Sequence, residues 1–160
     1  MTIDQAINEV NNLKPNMYEL PEKIKWLSRL DRRIFEEILL THELRPEEKE
    51  PFLPEDEERP EPPEPNLAPW ALELRWRPPM PPEEELVFPG YTEEDQDTEL
   101  IVGEPYDELY IHWLSAQIDR NNMEYIGFNN SNAMFEATYA AFRNAFNRSH
   151  MPKSRKKRYY

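Results

Sequence analysis

Residues 123–148 read MEYIGFNNSNAMFEATYAAFRNAFNR, and Met134, Phe135, Thr138, Tyr139, Phe142, Ala145 and Phe146 recur there at intervals of one, three and four. That spacing sets them on one side of an α-helix. The stripe predicts a helix over about 123–148, with an irregular start where Gly127, Asn129 and Asn130 are poor helix formers and a stop before Pro152. An aromatic stripe at helical spacing reads as core or subunit interface rather than as a ligand-binding face. Just upstream, Asn121-Asn122 marks a turn. Before it, Pro105 suits a first helical turn, with Asp107 and Glu108 at the positive end of the dipole. Tyr106, Leu109, Tyr110, Trp113, Leu114 and Gln117 then form a broad face.

Two more amphipathic helices are legible at the start of the chain. Ile3, Ile7, Val10 and Leu13 form one stripe, with Thr2 as N-cap and Pro15 as stop. The second helix starts at Pro21 and carries Trp26 together with a stripe of Ile24, Leu27, Leu30, Ile34 and Ile38; it should end near His42 to Leu44. Its other face holds Lys25, Arg29, Arg32, Arg33, Glu36 and Glu37, so it is solvated or meets a polar partner. The fold class expected is all-α: a small bundle of about four helices. Residues 1–44 and 90–150 supply it. Trp26, Leu30, Ile34, Tyr110, Trp113, Phe135, Tyr139, Phe142 and Phe146 are candidates for its core or a subunit interface.

Between the halves the chain changes character. Residues 45–89 hold 13 of the 17 prolines, and residues 45–65 alone carry nine acidic residues and seven prolines. Helix interiors do not accept proline at that density, so an extended, polyproline-like, self-repelling acidic insertion is expected. Inside it Trp70, Leu72, Leu74 and Trp76 make an apolar island, which either folds back on its own core or docks on a neighbouring subunit. Leu86 to Phe88 and Glu99 to Val102 look β-like and suggest a short hairpin or an ordered loop. Residues 151–160 form a basic tail with Lys153, Arg155, Lys156, Lys157 and Arg158, ending on Tyr159 and Tyr160.

A net charge of −13 disfavours nucleic acid and anionic membranes as partners. There is no Cys, hence neither a disulfide framework nor a thiolate site. No apolar run suffices to span a bilayer, and the start of the chain is amphipathic and unlike a signal sequence, so a soluble, unprocessed protein is expected. His42, His112 and His150 stand near no nucleophile motif, and the three glycines cannot build a phosphate loop. His112 reads as a core-edge residue, and His42 as a partner for the last carbonyls of a helix. Metal-ligand spacings are missing; the acidic run Glu93 to Asp97 reads as a solvated loop rather than a cation site. No enzyme activity, cofactor or metal is expected.

PYDELYIHWLSAQIDRNNMEY (105–125) and NNSNAMFEATYAAFRNAFNRSHMPK (129–153), with WLSRLDRRIFEEIL (26–39), the following THE (41–43) and FPGYTEEDQDTELIVGEPYDELY (88–110), resemble a family of small head-to-tail connector proteins. These adaptor or head-completion proteins occur in siphophages and prophages of Gram-positive bacteria. The resemblance covers about two thirds of the chain. It implies a helical virion protein of the neck, present in the host cytoplasm during assembly. Copies would form a ring, of about twelve, below the portal protein. That ring would bridge portal to stopper or tail and continue the channel for passing DNA without binding it tightly, a demand that an acidic subunit meets. The acidic insertion departs from shorter members of the family, and the resemblance assigns it no role.

Two expectations concern the extensions. The basic tail docks in an acidic portal groove, or adds a strand there, with Tyr159 and Tyr160 as anchors; the bland reading is a solubilising tail. The insertion reaches over a neighbour and seats Trp70 and Trp76 in pockets. Other function classes fit part of the sequence: an acidic DNA mimic that inhibits a host nucleic-acid enzyme, and a minor capsid or assembly protein. The basic tail works against mimicry.

Overall fold

The computed structural model describes residues 1–52 and 86–153. The expected insertion anchors Trp70, Leu72, Leu74 and Trp76, and the tail residues Arg155, Lys156, Lys157, Arg158, Tyr159 and Tyr160, lie outside the described residues. Helix makes up 65% of the described residues, and no strand occurs among them, which puts the chain in the all-α class. The chain divides into two compact units, one of residues 1–45 and 88–160, the other of residues 46–87.

In the larger unit, α1 (Ile3–Leu13) opens with a reciprocal cap: the Gln5 N–H donates to Thr2 Oγ1, and the Thr2 N–H to Gln5 Oε1. Helix starts leave further amides without partners. Here the acidic loop serves them, since Ile3 N–H donates to Thr98 O (3.1 Å) and Asp4 N–H to Gln96 O (3.0 Å). Leu100 N–H donates to Met1 O, and Thr2 bridges Glu99. Of the hairpin or ordered loop expected from 86–88 and 99–102, no hairpin forms among the described residues, and the second piece is an ordered loop. The second piece pairs with the start of α1 instead, because the amides of the helix start need carbonyls and the loop supplies them.

Helix α2 (Leu20–Glu37) buries Ile24, Trp26, Leu27, Leu30, Ile34 and Phe35. It ends earlier than expected and runs on as a 3-10 turn, Leu39–Thr41, where the His42 ring nitrogen Nδ1 sits 2.9 Å from Ile38 O. In the smaller unit, α3 (Pro46–Lys49) and a 3-10 turn (Glu50–Phe52) replace part of the extended chain expected there, and Val87 N–H donates to Phe52 O. Proline fits a helix start, and Glu47 and Glu48 favour the positive end of even a short helix.

Helix α4 (Glu108–Asn121) begins three residues after Pro105. The peptide bond before that proline is cis, and Tyr106, Leu109 and Tyr110 are held by turn bonds to Gly103, Tyr106 and Asp107. Leu109, Tyr110, Ile111, Leu114, Ala116, Ile118 and Asp119 are buried around most of the helix circumference. A helix apolar nearly all round belongs in the centre, and α4 touches α1, α2 and α5. After a corner in which Met123 takes a left-handed φ of 61°, α5 (Tyr125–Ser149) packs on α4.

Gly127 does not disturb the start of α5. A Cβ there would lie 2.8 Å from the Asp119 carboxylate, so the missing side chain lets the two helices meet. Beyond α5, Met151 to Lys153 run antiparallel to Thr41 to Glu43: Glu43 N–H donates to Met151 O (2.8 Å) and Lys153 N–H to Thr41 O (2.9 Å). The root of the expected tail is thus tied to the end of the α2 segment.

Candidate functional site

The surface of the larger unit carries its specific chemistry in two places, and a buried polar centre shapes the first. Asp31 occupies a core position of α2, between Leu27 and Ile34 in helical phase, and is fully buried. Its carboxylate accepts from Tyr110 Oη (2.6 Å), Tyr91 Oη (2.5 Å) and the Ile101 N–H (3.3 Å). Tyr110 Oη in turn accepts from the Val102 N–H. Burial pushes the Asp31 carboxyl up to about 6, against the three donors, which act to lower it. Burial and the adjacent carboxylate raise both phenols.

This centre stations the loop 88–92 against α2. Tyr91 N–H donates to Ser28 Oγ, Tyr91 packs edge-on against Phe88, and Gly90 adopts a φ of 88° that lets its backbone pass close to Ser28. The result is an open groove of about 640 Å³ lined by Pro21, Ile24, Lys25, Ser28, Arg29, Arg32, Tyr91, Thr92 and Glu93. Lys25, Arg29 and Arg32 are exposed along it. The centre has a pH signature. The folded carboxyl holds its proton to about 6 and an ordinary one to 3.8, so the unfolded chain ionises first as pH rises. Stability from this group is therefore highest below about pH 4 and falls by about 3 kcal/mol by pH 7. Relative to wild type, Asp31→Asn should gain about that much stability between pH 4 and pH 7 in urea titrations. A difference that does not change with pH would contradict the assignment.

The second place is the end of the fold where α1, α4 and α5 meet. Lys14 Nζ pairs with the fully buried Asp119 carboxylate, which Ser131 Oγ also approaches, and Tyr18 Oη donates to Asn122 Oδ1. Around these contacts Leu13, Met17, Met123, Tyr125 and Ile126 stay exposed, Met17 at 98% and Ile126 at 82%. Several large apolar side chains are thus exposed near this end of the larger unit.

Of the core or interface candidates, Trp26, Leu30, Ile34, Tyr110, Phe135 and Tyr139 are buried within this chain. Trp113, Phe142 and Phe146 are half-buried. The structure brings Trp26, Trp113, Phe135 and Tyr139 together: Trp113 Nε1 donates to Trp26 O, and the Phe135 ring lies 5.1 Å from Trp113 and 5.6 Å from Tyr139. Tyr139 Oη reaches Glu37, and its ring lies under Arg33. Leu30 and Ile34 belong to the α2 core, and Tyr110 to the Asp31 centre. Phe142 and Phe146 continue towards the tail root, where His42 meets Phe146 edge-on and His150 stacks on it at 3.9 Å. Lys153 is exposed.

Sequence reasoning missed Asp31, Tyr91, Asp119 and Lys14. Asp31 announces itself only as a charge in the phase of an apolar stripe. Among the described residues no cluster of His, Cys, Asp and Glu could hold a metal ion, and no helix is long and apolar enough to cross a membrane. Comparison with protein-family models, curated proteins and solved structures gives no match to this chain.

Proposed function

We propose that this chain is a structural subunit of a tailed-bacteriophage neck, a head-to-tail connector that forms a ring beneath the portal. The ring continues the DNA channel and bridges portal to stopper or tail. In this reading α1, α2, α4 and α5 form the bundle of each subunit, while the acidic insertion and basic tail reach neighbours and portal.

One observation carries the self-assembly. Helix α5 is 25 residues long, yet only Phe135 and Tyr139 are fully buried by its own chain. Helices gain most of their stability from packing. With Tyr125, Ile126 and Met134 exposed along it, α5 has surface to spare for another copy. A ring that closes head to tail uses different surfaces on the two sides of each copy, and the α5 end offers an apolar one. The resemblance of 105–153 to neck proteins supplies the place.

The test mixes the full-length chain with the portal protein of the phage that encodes it. Rings on the portal are expected, with assembly weakened at least about tenfold by Tyr125→Asp with Ile126→Asp, a double change worth about 1.4 kcal/mol or more at a buried apolar contact. No association with portal would overturn the neck placement.

A further inference from the structure

We infer that the α2 groove receives the acidic, proline-rich segment of a second copy of this chain, centred on Glu58, Glu61 and Glu64. This goes beyond the ring reading by naming the contact. It rests on the self-assembly part of that reading and not on the neck placement.

Among the described residues the groove's cations have no ion-pair partner. Lys25, Arg29 and Arg32 fall at intervals of four and three, on one face of α2. Among the described residues the ion pairs are Lys14 with Asp119 and Arg33 with Glu37, so none of the three is paired. In a chain with 32 acidic and 19 basic residues, three adjacent unpaired cations are a surface kept for a carboxylate-bearing partner. Guanidinium groups favour carboxylates, which they can grip with two parallel bonds. Between the cations, Pro21 and Ile24 supply apolar floor and Tyr91 an aromatic wall fixed by Ser28 and Asp31. Aromatic walls suit proline rings.

The sequence EDEERPEPPEP at 55–65 offers that combination. Glu58, Glu61 and Glu64 recur there at every third position, interleaved with prolines. Lys25 and Arg32 are separated by about 10 Å of helix rise. Three carboxylates at even sequence spacing thus complement a row of three cations. A donor segment and an acceptor groove on every copy are different surfaces, so each copy can pass the contact on to the next and a ring can close.

Charge exchange in the full-length chain tests this. One variant carries Lys25→Glu, Arg29→Glu and Arg32→Glu; another carries Glu58→Lys, Glu61→Lys and Glu64→Lys. Because the groove cations are exposed, the first should fold like wild type, which circular dichroism checks. Sedimentation equilibrium at low salt should show wild type associating, each variant weakened at least about tenfold, and an equimolar mixture of the two recovering association. Salt near 0.5 M should weaken the wild-type contact too. Unchanged association in either variant would overturn the proposal, as would a monomeric wild type. So would a mixture that stays monomeric, the mark of a groove filled by its own chain. Loss of oligonucleotide binding by the first variant with no change in self-association would assign the groove to nucleic acid instead. Portal binding is read separately: its absence, with charge exchange still working, would sink the neck placement and leave this contact standing.

Discussion

Lys14→Met should destabilise the fold by about 3 to 5 kcal/mol, because it leaves the Asp119 carboxylate buried without a counter-charge. Asp119 is fully buried, whereas Lys14 keeps 31% of its side chain in solvent, so the carboxylate bears the larger desolvation cost and depends on the lysine. Ser131 Oγ, at 3.3 Å, cannot neutralise a charge. Gly127 closes the remaining side, which prevents the carboxylate from swinging away. The methionine keeps the aliphatic stem, so the measured loss is that of the charge. Urea titration of the variant reads it. Adding Asp119→Asn should restore most of the loss, since it removes the stranded charge; a loss below about 1 kcal/mol would show that water reaches Asp119.

Phe135→Ala should be equally severe, at about 3 to 5 kcal/mol. Phe135 has no exposed surface and sits between Trp113 and Tyr139, so its removal opens a cavity and breaks two ring contacts. Only Phe135 and Tyr139 are fully buried on α5, so losing one should also loosen that helix against α4. Hydrogen exchange should therefore rise across residues 125–149 beyond the rise elsewhere. Phe142→Ala, at a half-buried position, should cost about 1 kcal/mol. Equal losses at the two positions would mean that α5 is held along its whole length.

What the sequence displays well is periodicity. Ile3, Ile7 and Val10, then Ile24, Leu27, Leu30 and Ile34, repeat so regularly that α1, α2 and their buried faces follow from spacing alone. Even α5 was legible in its middle, from Phe135 to Phe146. Its start was not, because helix propensity counts against Gly127 and nothing in the linear order reveals the Asp119 carboxylate beside it. The same holds for the loop 96–102: Glu99 to Val102 read as β-like, while the loop's carbonyls and amides go to the start of α1, a partner nearly a hundred positions away. The groove was half visible. The stripe of Lys25, Arg29 and Arg32 demands water or a polar partner, but its aromatic wall depends on Tyr91, and Tyr91 is placed by Asp31, a lone charge in the phase of the apolar stripe.

The central claim is that copies of this chain form a ring at the neck, and a cryo-electron-microscopy reconstruction of the virion neck tests it most directly. The account predicts a ring directly below the portal into which α1, α2, α4 and α5 fit, with the apolar end around Tyr125 and Ile126 covered by a neighbour. A neck fully accounted for by other proteins, with no density for these helices, would contradict it.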